Sequence, residues 1–358
     1  MTPAGRGHRE GGFVLVLVLA MLVVLGLLAG TIAAVTGRLA EQAQQRAQAT
    51  RDAVEIANTR ATVLYLLTTQ RMTLGGLTVD NMVSFGEGGT RLIESSEDLE
   101  SALPTGTELR LDGSAYRGLG DIRFALQDDY GLFGVNWSPS WRLEKLLAQG
   151  GHPRPVPAEA LINRLFDYQD RDGLYRLNSM EADGYRQAGM TPPTNLPLAT
   201  PMEIMRVAGW KQALSFLTPA EISDTITVES VGGININTAP ARVLRVLDGM
   251  DEDKLARAMA FRKVQPFMTA QAFFAFLGLP ATLDSPVAVY PATSGTLKLW
   301  PSHGGQVAVV HWTLTPVEDK GRPWREDYEL IQSQAPSQDD VALPVRSRLF
   351  GQQVAPRK

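Results

Sequence analysis

The chain has 358 residues, 44% of them apolar and 20% charged, with a formal net charge of −4. This balance excludes an intrinsically disordered chain, and the slight acidity argues against nucleic-acid binding. There is no cysteine, so no disulfide can staple the fold, and an oxidising compartment is neither required nor ruled out.

No charged residue occurs from Phe13 to Gly37. At about 1.5 Å per helical residue this run can cross a bilayer. Arg6 and Arg9 precede it and Ala33-Ala34 lie near its end, as in a secretory signal peptide. The run, however, greatly exceeds the roughly 7–15 apolar residues of such a peptide and passes without a turn residue into more helix. From Arg38 to Met72 there is no proline. Ala40, Ala43, Ala47, Thr50, Val54, Ala57, Ala61 and Leu64 recur there at spacings of three and four, a stripe of mostly small side chains. Gly26 and Gly30 add a small-xxx-small pair within the apolar run, again suited to close helix contact. One helix is therefore predicted over 13–72, its first half in lipid and its second against a globular body or a neighbouring helix. Arg38, Arg46 and Arg51 beyond the run offset Arg6 and Arg9 before it, so charge asymmetry leaves the orientation open.

The rest reads as β, then helical, then β. Ile122, Phe124 and Leu126 alternate with Arg123, Ala125 and Gln127, which predicts a half-buried strand, with Thr107 to Leu111 as its partner before an Asp112-Gly113 turn. Thr296 to Trp300, Gln306 to Thr315 and Arg325 to Ile331 are three more predicted strands between Gly/Pro-rich turns. One sheet, built from 73–137 and 286–350, is thus interrupted by a helical insertion over 138–285, and 351–358 is a tail. Within the insertion, Thr200-Pro201-Met202-Glu203 and Thr218-Pro219-Ala220-Glu221 both match a capping box with proline at the first helical position, and Gly209 closes the first of these helices. Residues 233–279 predict a helical hairpin: Ala241 to Leu247, a turn at Gly249 to Asp253, Lys254 to Lys263, and a last helix capped by Thr269. The hairpin resembles helix-hairpin-helix and sterile-alpha-motif-like units that grip nucleic-acid backbone. Its turn nevertheless carries Asp251, Glu252 and Asp253 where a phosphate would sit, and this disfavours anion binding.

The leader ending in Gly12, the aromatic Phe13 and the apolar helix resemble the type IV pilin and pseudopilin class. The resemblance implies cleavage by a prepilin peptidase between Gly12 and Phe13, N-methylation of Phe13, and an α+β pilin-like fold in which the long N-terminal helix packs on an antiparallel sheet. The glutamate usual at the fifth place after the cut is Leu17 here, and among pseudopilins the family lacking it is general secretion pathway protein K. The insertion is similar to that family in Gly131-Leu132, Val135-Asn136, Asp170 to Glu181, Tyr185, Asn195, Pro197-Leu198, Glu203, Val207-Ala208-Gly209 and Asn235 to Ala239. Two departures, Gly134 before Val135-Asn136 and Ser179-Met180 before Glu181, touch loop geometry only.

Asp167, Asp170, Asp172 and Glu181, with Asn178 and Asp183 nearby, are hard oxygen donors crowded into one stretch. An EF-hand is excluded, because Leu174 and Tyr175 stand where a ligand and a glycine belong. The alternatives from residues alone are a solvated acidic turn or a cation site, and the resemblance implies calcium. A chelator is then expected to lower the melting temperature of the soluble fragment, and Asp172→Ala to abolish that effect. No catalytic residue is proposed: hydrolase, metalloprotease, phosphate-loop and dinucleotide motifs are absent, and His8, His152, His303 and His311 are scattered. The resemblance implies a single-pass inner-membrane protein with its C-terminal domain in the periplasm. It would cap or initiate the pseudopilus of type II secretion together with minor pseudopilins I and J, its helix contacts lying at Gly26, Gly30, Ala40, Ala43, Ala47, Val54 and Ala57. The alternatives are a type IV pilus minor pilin and a membrane-anchored DNA receptor.

Overall fold

Helix α1, Gly11–Thr69, runs unbroken because no proline interrupts it and strong helix formers fill its second half. The computed structural model describes residues 11–82, 102–136, 138–151, 155–280, 287–316, 321–333, 343–345 and 347–350. The predicted leader up to residue 10 and the predicted tail at 351–358 lie outside the described residues. The chain forms two units, Met1–Val54 and Glu55–Lys358, and α1 supplies all that is described of the first. Every side chain from Val14 to Val35 is exposed there, and the helix is long and apolar enough to cross a membrane.

In the second unit the end of α1 buries Thr59, Val63, Leu64, Leu66 and Leu67. The small-residue stripe takes another face: Ala40, Ala43, Ala47, Val54, Ala57 and Ala61 are all exposed, and of the predicted stripe only Leu64 enters the core. Both faces repeat at helical spacing, so periodicity alone does not choose between them. Area does, because valine and leucine remove far more apolar surface from water than alanine.

The helix stops three residues before its predicted end. Gln70–Thr73 (β1) instead turns back and pairs antiparallel with Gly76–Met82 (β2). Leu109 joins Leu77 of β2 through two backbone hydrogen bonds of 2.9 and 2.8 Å, so the 107–111 segment is not the partner of the 122–126 strand. That partner is Asp112–Arg117 (β3), which pairs antiparallel with Ile122–Asp128 (β4). Asp112-Gly113 is a bulged strand start, not a turn: the Asp112 carboxylate accepts from Arg110 Nη2 at 2.7 Å and Ser114 N at 3.1 Å. The real turn is at Gly118–Gly120. A side chain at Gly118 would meet Thr59 at 2.8 Å, and Gly120 has a φ of +57°.

After β4 the chain leaves the sheet. It forms Phe133–Gly134 (β5), then helices α2 (Ser140–Ala148), α3 (Ala158–Gln169), α4 (Ala182–Gln187), a 3-10 helix (Pro201–Arg206), α5 (Trp210–Ala213) and α6 (Pro219–Ser223). Ile226–Thr227 (β6) pairs parallel with β5. Ile234–Asn235 (β7), α7 (Ala241–Leu244), α8 (Glu252–Val264) and α9 (Ala270–Leu277) follow, and Val287–Ala288 (β8) pairs parallel with β7. The chain then returns as Ser294–Pro301 (β9), Val307–Leu314 (β10) and Trp324–Gln332 (β11). The sheet order is β11-β10-β9-β4-β3, antiparallel throughout, so β4 and β9 are neighbours across the whole insertion. This is the predicted α+β architecture.

Two large cores follow from this path, with a smaller cluster of Ala115, Ala125, Trp300, Val307 and Val309 on the sheet. Ile122, Phe124 and Leu126 of β4 face Val63, Leu66 and Leu67 of α1, joined by Leu297, Leu299 and Trp312. The insertion has its own core around Leu165, Tyr185, Trp210 and Phe273, and the Trp210 Nε1 donates to the Leu161 carbonyl at 2.7 Å. Thr218 caps α6 with the full predicted box, and Thr269 caps α9, which ends at a left-handed Gly278. Thr200 makes no side-chain cap. Glu203, its supposed reciprocal partner, instead accepts from Tyr168 Oη at 3.1 Å and Ala199 N at 2.9 Å, and the segment winds as a 3-10 helix. Gly209, with a φ of +85°, opens α5 and does not close that segment.

Candidate functional site

Helix α3 ends at Gln169 and the loop after it folds back so that α4 begins beside it. This brings Asp167 and Asp170 near Glu181 and leaves Asp172 exposed. Asp167 is fully buried on the last turn of α3, Glu181 is 4% exposed at the start of α4, and Asp170 begins the connecting loop. Arg176 reaches into them: its Nη1 pairs with both Asp167 and Asp170, and its backbone N donates to Asp167 Oδ2 at 3.0 Å. Asp172 is exposed, and its Oδ1 accepts from Leu174 N at 2.9 Å. Asp183 is outside the group, paired with Arg186 at the surface. Asn178, in the left-handed region at a φ of +57°, holds the loop through its carbonyl, which accepts from Arg164 at 3.4 Å.

Arg176 pairs with two of these carboxylates, Asp167 and Asp170, and no ion pair reaches Asp172 or Glu181 among the described residues, so the group is rich in negative charge. Burial, followed by the charges of Asp167, Asp170 and Asp172, raises the Glu181 pKa above the ordinary carboxyl value. Asp170 Oδ1 and Glu181 Oε1 are buried and make no hydrogen bond. Orphaned carboxylate oxygens are costly, and hard oxygens pointing inward from two elements are what a calcium ion coordinates. Asp167, Asp170 and Glu181 therefore offer oxygens of the kind calcium takes, although their ligand atoms do not all lie within 4.8 Å of one another and Arg176 already pairs with two of them. Arg176 was not foreseen as a member; the sign in the sequence is a single arginine between Asp172 and Glu181.

The residues that carried the family resemblance are pins between segments distant in sequence. Asn136 donates to the carbonyls of Leu198 and Val228 at 3.0 and 2.8 Å and accepts from Leu198 N at 3.0 Å. Asn237 donates to the carbonyls of Phe267 and Val289 at 2.9 and 3.0 Å and accepts from Phe267 N at 2.8 Å. Asn235 and Thr238 both donate to Asp128 Oδ2, at 2.8 and 2.7 Å, tying the hairpin to the end of β4.

The hairpin offers little to a phosphate. Asp251 caps α8 and pairs with Lys254, Glu252 pairs with Arg245, and Lys145 pairs with Asp248. Arg262, 6% exposed, donates inward to the carbonyls of Ile236 and Ala239, and Arg257 donates to the Phe276 carbonyl at 2.6 Å. Backbone at Gly12 and Phe13 is helical, within α1. Side chains at Gly26 and Gly30 would meet nothing within 4 Å, so that helix face is open. His311 is not isolated, as the sequence suggested, but sits buried between Asp129 and Asp327.

Residues 234–290 match the family model for type II secretion system (T2SS), protein K. The match falls on the hairpin and its return strand, and it bears out the resemblance read from Asn235 to Ala239. In the solved GspK-GspI-GspJ complex from the enterotoxigenic Escherichia coli type 2 secretion system, a chain is similar to this one at 16% identity and a TM-score of 0.47, covering 82% of this chain and 99% of that one. No curated protein matches.

Proposed function

We propose that this chain is a protein-K-type minor pseudopilin of a type II secretion system. It is cut between Gly12 and Phe13, methylated on Phe13, and held by α1 as a single-pass inner-membrane protein whose body lies in the periplasm. There it joins minor pseudopilins I and J at the pseudopilus tip. The observation that carries this reading is the protein K match on 234–290, in a hairpin whose Asn235, Asn237 and Thr238 are buried pins of the insertion. Three features support it. The small-residue stripe of α1 is exposed and free for partner helices. Leu17 leaves no carboxylate in the apolar run, and a tip subunit has no neighbour above it to neutralise one. The insertion is a folded helical body with its own core, whose bulk would hinder addition of a further subunit. The role is structural and not enzymatic.

The DNA-receptor alternative loses ground because Arg262 is turned inward and the turn carries the carboxylates of Asp251, engaged in a cap, and Glu252, engaged in an ion pair. Deleting the gene from its own bacterium is expected to leave type II exoproteins in the periplasm, with export restored by the intact chain. Normal export together with lost twitching motility would move the protein to a type IV pilus.

A further inference from the structure

One buried charge cluster has no part in anchoring, cation binding or the hairpin. Asp129 lies fully buried in the 3-10 turn after β4, where the chain leaves the sheet. Its Oδ1 accepts from Thr227 Oγ1 of β6, in the insertion, at 2.9 Å. Its Oδ2 accepts from Ser294 Oγ of β9 and faces His311 Nε2 of β10 at 2.9 Å. The other ring nitrogen, Nδ1, faces Asp327 Oδ2 of β11 at 2.8 Å, and that same oxygen accepts from Thr313 Oγ1 at 2.6 Å. Tyr328 stacks on the imidazole with centroids 4.8 Å apart.

Both ring nitrogens thus meet carboxylate oxygens at hydrogen-bond distance. A neutral imidazole has one N–H and would turn a lone pair on one carboxylate; only the doubly protonated ring donates to both. We propose that His311 is a charged latch: as an imidazolium clamped between Asp129 and Asp327 it fastens the insertion to the sheet, and loss of its proton loosens that join.

The surrounding groups fit. Asp129 and Asp128 approach from the turn and β4, Glu229 from the loop after β6, and Asp327, Arg325 and Tyr328 from β11. Burial alone would lower the His311 pKa, but the hydrogen bonds and charges of Asp129 and Asp327 outweigh it and raise it to about 9. Burial likewise opposes ionisation of Asp327, and His311, Thr313 and Arg325 overrule it and hold its pKa well below the usual range. A group raised from its ordinary value stabilises the fold fully below that value, about pH 6.5, and loses the contribution as pH climbs through about 9. Glu229, His311 and Asp327 present ligand atoms within 4.8 Å of one another. A metal ion there would have to displace a ring proton already shared with a carboxylate.

The test is a pH series from 6.5 to 9.5 on the full chain in detergent, following unfolding and amide exchange in wild type, His311→Gln and Asp327→Asn. The folding constant of wild type relative to His311→Gln is expected to fall on the order of a hundredfold across the series. Asp327→Asn keeps the buried ring and moves the midpoint to lower pH. Protection factors at Phe133 and Val135, which join β5 to the β6 segment, are expected to drop at least about tenfold before those at Leu297 and Val309 in the sheet. An identical pH slope in His311→Gln, an unmoved midpoint in Asp327→Asn, or uniform loss of protection would overturn the latch. So would stabilisation of wild type, but not of His311→Gln, by added zinc.

Discussion

Replacing Asp128 with alanine is expected to destabilise the protein by about 4 kcal/mol near pH 7, and by more at pH 5. Four donors converge on this carboxylate. Tyr130 N and Ala292 N reach Oδ1 at 3.2 and 2.8 Å, and Asn235 Nδ2 and Thr238 Oγ1 reach Oδ2 at 2.8 and 2.7 Å. Asp128 is 1% exposed, so alanine would leave these donors without a ready substitute. Each orphaned buried donor costs about 1–3 kcal/mol. Part of that loss is offset, because burial raises the Asp128 pKa to about 6 even though Thr238, Ala292 and Asn235 all favour its charged form. A folded pKa above the unfolded value means that stability is fullest below about pH 3.8 and declines as pH rises through about 6. Alanine removes that slope. Urea melts at the two pH values should show the gap between wild type and variant widening on the acidic side; a gap that narrows there would show that Asp128 is not the hub of the join.

We propose calcium binding as the source of a second large effect. At free ion concentrations one hundred times the dissociation constant, binding to the folded state alone adds about 2.7 kcal/mol. We expect calcium to raise the melting temperature of the full chain and chelator to reverse it. Of the four residues put forward, we expect the largest effect at Glu181, which is buried with an unpaired oxygen, and a smaller one at the exposed Asp172. Glu181→Gln should abolish the calcium response yet leave the metal-free protein slightly more stable, since it removes one charge from beside Asp167 and Asp170. Asp172→Ala should only weaken the response. An unchanged response in Glu181→Gln would remove this group from calcium binding.

The parts of the fold that were legible in the sequence are those where one local rule acts without competition. The uncharged run after Phe13, the alternation of Ile122, Phe124 and Leu126, and the caps at Thr218 and Thr269 each name their own structure. Where two segments satisfied the same rule, tertiary contacts decided. Leu109 went to Leu77, leaving β3 to pair with β4. Thr200 and Thr218 open with the same box, but Tyr168 and Ala199 captured the carboxylate of Glu203. The acidic residues of the candidate site were visible as a dense group, whereas the burial of Glu181 and the exposure of Asp172 depend on the fold-back of α4 onto α3. Asp128 and Asp129 gave no signal at all, because their partners come from β6, β7, the hairpin, β9 and β10.

Assembly is the claim on which the functional reading rests. The direct measurement is co-purification of the tagged full chain, from detergent-solubilised membranes, with minor pseudopilins I and J of the same bacterium, followed by mass determination of the eluted species. The expected result is an equimolar ternary complex in which this chain begins at a methylated Phe13. Elution of the chain alone, or of a product that begins beyond the apolar run, would contradict the account.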